Sequence, residues 1–143
     1  MASPEAQSRH AKSAHTVCAI VVSFFPDVAA LRRLFAATLS QVDALVIADN
    51  GTSDAAFDGF CAHVESDKVV ILKQYRNIGL AAAFNRGIAW ARENGFSHVL
   101  LLDQDSEPVP GMVDALIQAF ADSPAGRRIA AVGPRFHDAR EDR

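Results

Sequence analysis

Val99-Leu100-Leu101-Leu102-Asp103-Gln104-Asp105-Ser106-Glu107-Pro108 joins four unbroken aliphatic residues to two carboxylates one residue apart and then to a proline. A strand with one wet face alternates apolar and polar residues, so the unbroken run predicts a strand covered on both faces. Acid then meets solvent at the C-terminal end of that strand. Two carboxylates this close repel each other and are tolerated when solvated, hydrogen-bonded or sharing a cation. A hard divalent ion suits them, because Mg²⁺ is usually held by one or two carboxylates, keeps some waters and takes its remaining ligands from substrate phosphates. A bare Asp-x-Asp also arises by accident in polar loops after buried strands. Its meaning therefore depends on the rest of the chain.

The same strand-then-helix unit recurs on either side of this stretch. Residues 16–23 form a first buried strand, and Phe24-Phe25-Pro26-Asp27 turns it into a helix with Leu31, Leu34, Phe35, Thr38 and Leu39 on one face. Residues 44–48 form a second strand, ended by Asp49-Asn50-Gly51-Thr52-Ser53-Asp54. Asp54 is placed to cap a helix carrying Phe57, Phe60, Cys61 and Val64. Residues 69–72 form a third strand. After Lys73-Gln74-Tyr75-Arg76-Asn77-Ile78-Gly79, a helix runs over about residues 80–94, with Leu80, Phe84, Ile88 and Ala91 inward and Gly95 as its C-cap. The opening stretch is the fourth strand. A helix from about Pro110 follows it, with Met112, Val113, Leu116, Ile117 and Phe120 inward, and residues 129–133 form a fifth short strand. Strict alternation implies right-handed crossovers and an α/β fold with a mainly parallel central sheet between helices. Residues 1–15 read as a flexible tail, 16–136 as one folded unit and 137–143 as a polar tail.

Composition narrows the function classes. Of 143 residues, half are hydrophobic and 22% charged, with a formal net charge of -3, which describes a soluble globular chain lacking a basic face for nucleic acid. The two cysteines, Cys18 and Cys61, form no metal-ligand pattern, so reduced thiols in the cytosol and no structural zinc are expected. No apolar run reaches the roughly 18 residues of a spanning helix, and the first fifteen residues lack a signal-peptide core, so no membrane span is expected. Neither G-x-x-x-x-G-K-[ST] nor a G-x-G-x-x-G after the first strand is present, which removes support for an ATPase or a dehydrogenase. A phosphate-accepting signalling domain would place an acidic pair after the first strand, where this chain has Ser23-Phe24-Phe25.

In an open parallel sheet the residues just past the strand ends form one rim, where ligands of such folds bind. Here the rim reads Ser23, Asp49-Asn50, Arg76-Asn77 and Asp103-Asp105. Asp, Asn and Gly are also ordinary turn residues, so each cluster alone is explicable as a surface loop. Four polar clusters at the ends of four apolar strands point jointly to a site.

With these blocks assembled, the chain resembles the nucleotide-binding half of inverting GT-A glycosyltransferases of family 2, and within them the bacterial rhamnosyltransferases. The blocks are Val21-Val22-Ser23-Phe24-Phe25-Pro26-Asp27, Val46-Ile47-Ala48-Asp49-Asn50-Gly51-Thr52-Ser53-Asp54, residues 77–88 and Leu101-Leu102-Asp103-Gln104-Asp105-Ser106. With Val132-Gly133-Pro134 they span about residues 17–136 in family order. Asp-Asn-Gly in place of the commoner Asp-Asp-Gly, Asp-Gln-Asp-Ser and Val-Gly-Pro-Arg-Phe carry the rhamnosyl preference. The resemblance implies a GT-A, Rossmann-like α/β sandwich, here truncated, that binds a nucleotide-sugar donor. Asp49 or Asn50 would accept the imino hydrogen of the pyrimidine base. Asp105 would ligate Mg²⁺ or Mn²⁺ bridging the diphosphate, while Asp103 faces the donor sugar or ribose. Ser23 lies on the same donor-facing rim, Arg76 would add a cation near the phosphates, and Asn77 and Gly79 would shape that loop.

An inverting transferase needs a base for the acceptor hydroxyl, and the family supplies it from its second half. Two functions stay open. The chain is a transferase, alone or completed by a second polypeptide, moving L-rhamnose from dTDP-rhamnose to a glycan or lipid-linked acceptor of cell-surface polysaccharide. Alternatively it is a non-catalytic nucleotide-sugar-binding fragment. The expected location is the cytoplasm, either free there or peripheral at the inner face of the membrane, with the apolar surface that the second half would cover left exposed.

Overall fold

Burial of the first strand on both faces organises the molecule. In the computed structural model, which describes residues 15–122, 124 and 128–135, all seven residues of β1 (Val17–Ser23) are buried. β2 (Ala44–Asp49) and β4 (His98–Asp103) pair with β1 from either side, both parallel, and β3 (Val69–Lys73) pairs parallel with β2. The sheet order is β3-β2-β1-β4. The connections carry α1 (Val28–Thr38), α2 (Ala55–Ala62) and α3 (Leu80–Glu93), and α4 (Met112–Ala121) follows β4. This is the alternating α/β fold with a parallel sheet that the sequence predicts.

The helices begin and end where side-chain chemistry allows. Asp27 accepts from the Ala29 amide at 2.9 Å and Asp54 from the Phe57 amide at 2.9 Å. Each N-cap contributes about 1 kcal/mol. Gly95, at φ 77°, takes the left-handed position just past α3. Leu31, Leu34 and Phe35 of α1, Phe57 and Phe60 of α2 and Val113 of α4 pack on Val17, Ala19, Val21, Leu45 and Ile47. On the other face, Ala91 of α3 and the partly buried Phe84, Ile88 and Trp90 meet Cys18, Ile20, Ala44 and Val46. Successive strand residues point to opposite faces, so β1 alone serves both clusters. The helix α3 approaches β1 so closely at Gly87 that an added Cβ would lie 2.4 Å from Ile20 Cγ2.

Three expectations change. The Val99–Leu102 run is covered on one face only: Leu102 is buried and Leu100 packs on the core, whereas Val99 and Leu101 are 40% and 48% exposed. β4 is an edge strand, and α3 lies chiefly over β1 and β2. Residues 129–133 form no strand, and Ile129 is exposed; a run dominated by alanine and glycine has little preference for a ladder. Leu80 is exposed as well, because it opens α3 at the rim, while Ala83, Gly87 and Ala91 take the buried positions. The tails 1–14 and 136–143 lie outside the described residues.

Replacing Gly87 by Ala improves helix propensity by about 1 kcal/mol but overpacks a contact that normally costs about 1–3 kcal/mol. Gly87→Ala is expected to be net destabilising, read as a lower denaturant midpoint. Cys18 is fully enclosed, and burial lifts its thiol from the ordinary 9.0 to about 11. An unfolded chain ionises this thiol first, so its contribution to stability is complete below pH 9 and is lost as pH rises through the folded value. Cys18→Ala is expected to flatten part of the alkaline decline in melting temperature.

Candidate functional site

The chain runs outward from β1 through β2 to β3 and then returns to place β4 on the opposite side of β1. The crevice where a parallel sheet reverses direction is the place such folds bind ligands. Here that reversal lies between β1, which ends at Ser23, and β4, which ends at Asp103. Ser23 is in register with Asp49, and the Asn50 amide donates to the Ser23 carbonyl at 2.8 Å. The sheet topology thus brings Ser23, Asp49-Asn50 and Asp103-Asp105 to one rim, with Arg76-Asn77 following β3.

The rim residues divide by what they are bound to. Asn50, 4% exposed, accepts from the Ile78 amide at 2.9 Å and donates to Asn77 Oδ1 at 3.1 Å. Asn77 Oδ1 also accepts from the Gly79 amide at 2.8 Å. Asn50, Asn77 and Gly79 therefore lock the loop after β2 to the entry of α3. Asp49 is 3% exposed and its Oδ1 accepts from the Thr52 amide at 3.0 Å. Thr52 Oγ1 in turn accepts from the amide of Phe25, which sits at φ 45°. Ser23 Oγ is fully buried and has no hydrogen-bond partner among the described residues, a state that costs about 1–3 kcal/mol.

Asp103, Asp105 and Arg76 are exposed, and among the described residues no hydrogen bond or ion pair engages their side chains. Glu107 does not join the acids. It pairs with Arg33 at 2.6 Å, and that hydrogen bond raises the guanidinium pKa. Asn85 is exposed on α3, and its side chain makes no hydrogen bond among the described residues. His98 lies at the start of β4, away from the rim, against Ser97, His15 and Phe120. Among the described residues no group of three His, Cys, Asp or Glu side chains could hold a metal. The donor set fits an ion that takes only one or two ligands from protein and the rest from phosphate and water. It does not fit a dedicated protein cage.

Two residues with no assigned role in the sequence shape this rim. Gln104, between the two acids, bonds the Phe24 backbone through its side-chain amide. Gly51, at φ 92°, leaves room for the loop after β3: a Cβ there would lie 2.5 Å from the Arg76 carbonyl carbon. The only sequence signal for either is position, inside an acidic pair and after a strand end. Gly51→Ala combines a left-handed φ with a backbone clash and is expected to cost about 3 kcal/mol. Faster amide exchange at Ile78, whose hydrogen bond to Asn50 depends on that packing, would check it.

A family model described as Glycosyl transferase family 2 matches residues 19–143. A curated relative, the dTDP-rhamnosyl transferase RfbF of Shigella flexneri, is 30% identical over 90 residues, which is 63% of this chain and 29% of the relative. The chain thus matches less than a third of the relative's length. The match to the family model takes in all four strands apart from the first residues of β1, and every rim cluster, and on it the chain belongs to glycosyl transferase family 2.

Proposed function

We propose that this chain holds the nucleotide-diphosphate end of a sugar donor, dTDP-L-rhamnose, as the donor half of an inverting glycosyltransferase. The observation that carries the reading is the pair of unengaged carboxylates, Asp103 and Asp105, at the switch between β1 and β4. The dTDP-rhamnosyl transferase name of the relative supports the choice of donor. Of the two candidates for the base, Asp49 is preferred. Both ends of the Asn50 amide are committed to the α3 entry, whereas one Asp49 oxygen is uncommitted among the described residues. Because Asp49 is nearly enclosed, the reading requires the Thr52 segment that it anchors to shift when the base enters.

Asp105 and Asp103 would hold Mg²⁺ or Mn²⁺ against the diphosphate. When bound, the ion offsets negative charge developing on the departing dTDP. Arg76, unengaged among the described residues on the loop after β3 at the other edge of the sheet, adds a cation on the same rim. In the transfer, the acceptor oxygen bonds to the anomeric carbon and the bond to the diphosphate oxygen breaks. dTDP leaves with that electron pair, and the acceptor proton passes to a base. That base comes from outside the described residues, on a second polypeptide or a further segment. The exposed Val99 and Leu101 face of β4 is the surface such a partner would cover. The acceptor is a glycan or lipid-linked saccharide of cell-surface polysaccharide. No described helix is long and apolar enough to cross a membrane, and the reading places the protein in the cytoplasm at the inner membrane face. A chain that binds donor but never turns over would be the non-catalytic alternative.

Calorimetric titration with dTDP and dTDP-rhamnose, with and without Mn²⁺, tests this. Mn²⁺ is expected to tighten binding, and Asp105→Ala to weaken the metal-dependent complex by about tenfold or more. Equal affinity with and without metal, or no binding at all, would sink the donor-site reading.

A further inference from the structure

The acids at the end of β4 and the Asp49 cluster at the end of β2 are separated by β1, yet hydrogen bonds along the Phe24-Phe25 backbone link the Asp49 cluster to Gln104, the residue between the two acids. Asp49 Oδ1 accepts from Thr52 N–H at 3.0 Å, and Thr52 Oγ1 accepts from Phe25 N–H at 3.2 Å. The next residue back, Phe24, uses both its backbone polar groups on one side chain. Its N–H donates to Gln104 Oε1 at 2.9 Å, and its carbonyl accepts from Gln104 Nε2 at 3.4 Å. The β1–β4 ladder ends at Val22 and Asp103. The Gln104 amide, using its oxygen as acceptor and one N–H as donor, supplies the pairing that a further strand residue would have made.

The backbone around Gln104 makes this bond consequential for its neighbours. Ser106 N–H donates to the Asp103 carbonyl at 3.1 Å, closing a turn with Gln104 and Asp105 at its central positions. Gln104 is half-buried and directed to Phe24, while Asp103 and Asp105 on either side are exposed. Holding the middle of a four-residue turn fixes the directions in which its flanking side chains leave the backbone. The same bond fixes the Phe24-Phe25 loop, whose Phe25 stands in the left-handed region at φ 45° and whose rings pack edge to face with centroids 4.9 Å apart.

We propose that Gln104 is a positioning residue that couples the nucleoside side of the rim, through Phe24, Phe25, Thr52 and Asp49, to the metal and diphosphate side at Asp103 and Asp105. The inference rests on the donor-site reading above. Coupling of this kind is a free energy shared between two ligands, so metal and nucleotide each raise the affinity of the other by one factor. An amide that holds both loops at one spacing raises that factor without touching either ligand.

The test uses the full chain with Gln104→Ala and Gln104→Met, the second keeping the side-chain bulk while removing both hydrogen bonds. Thymidine, dTDP, and dTDP with Mn²⁺ are titrated by calorimetry, and amide exchange at Phe24 is followed by NMR. In both variants the Phe24 amide is expected to exchange faster, and the gain in dTDP affinity on adding Mn²⁺ to fall by about tenfold. Thymidine affinity should stay within about twofold of the parent. A purely structural role would lower thymidine and dTDP affinities together and leave the Mn²⁺ gain intact. That result in the Met variant overturns the proposal. If the parent protein shows no Mn²⁺ gain, the donor-site reading has failed and this inference falls with it. A parent gain that both variants retain defeats this inference alone.

Discussion

A strand buried on both faces and paired on both edges is the constraint on which this molecule depends. Every residue of β1 lies inside, so its backbone groups need ladder partners on either side and its side chains need helices above and below. The first demand places β2 and β4 on opposite edges of β1. The second places α1, α2 and α4 on one face and α3 on the other. Once these are met, the chain must change direction across β1, and the polar segments after β2 and β4 arrive at the same end of the sheet. The rim is a consequence of burying Val17–Ser23.

At that rim, polar groups serve two ends that compete for them. Asn50 and Asn77 are spent on each other and on the backbone amides of Ile78 and Gly79. For Asn50 the worth lies less in the bonds themselves, about 1 kcal/mol each, than in the larger cost of leaving its buried amide unpaired. Asp103, Asp105 and Arg76 are left outside this scaffold and exposed. Unspent charge beside a pre-ordered loop is what binding a charged ligand requires, since the ordering cost has been met in folding. Gly51 permits the arrangement because only a missing Cβ lets the loops after β2 and β3 touch.

Family membership and this division of the rim fit together. Glycosyl transferase family 2 is matched from Ala19 onward, while the detailed likeness to the Shigella flexneri relative covers 29% of that protein. On the function proposed above, Asp103 and Asp105 would hold a metal shared with a diphosphate, because two carboxylates leave most coordination positions to other ligands. Glu107, which stands close enough in sequence to be a third acid, is held by Arg33 on α1.

The alternation of strands and helices, the faces of α1 and α2, the capping role of Asp54 and the polar strand ends were legible in the sequence, because each depends on neighbours within a turn or two of the chain. The place of β4 at the sheet edge was not legible. Four aliphatic residues read alike whether one face is covered or two, and only the lateral order of strands leaves Val99 and Leu101 exposed. The division between Asp49 and Asn50 was hidden for the same reason. Both residues are enclosed, and which of them has its side chain fully committed depends on Ile78 and Asn77, nearly thirty positions away, arriving against Asn50. The role of Gln104 was hidden further still, since its partner, Phe24, is distant in sequence and offers only backbone atoms. Local periodicity and turn chemistry determined the elements and the residue types at their ends. Only packing decided which of those polar groups are spent on the fold and which remain free for a ligand, because that depends on contacts between segments that are far apart in the chain.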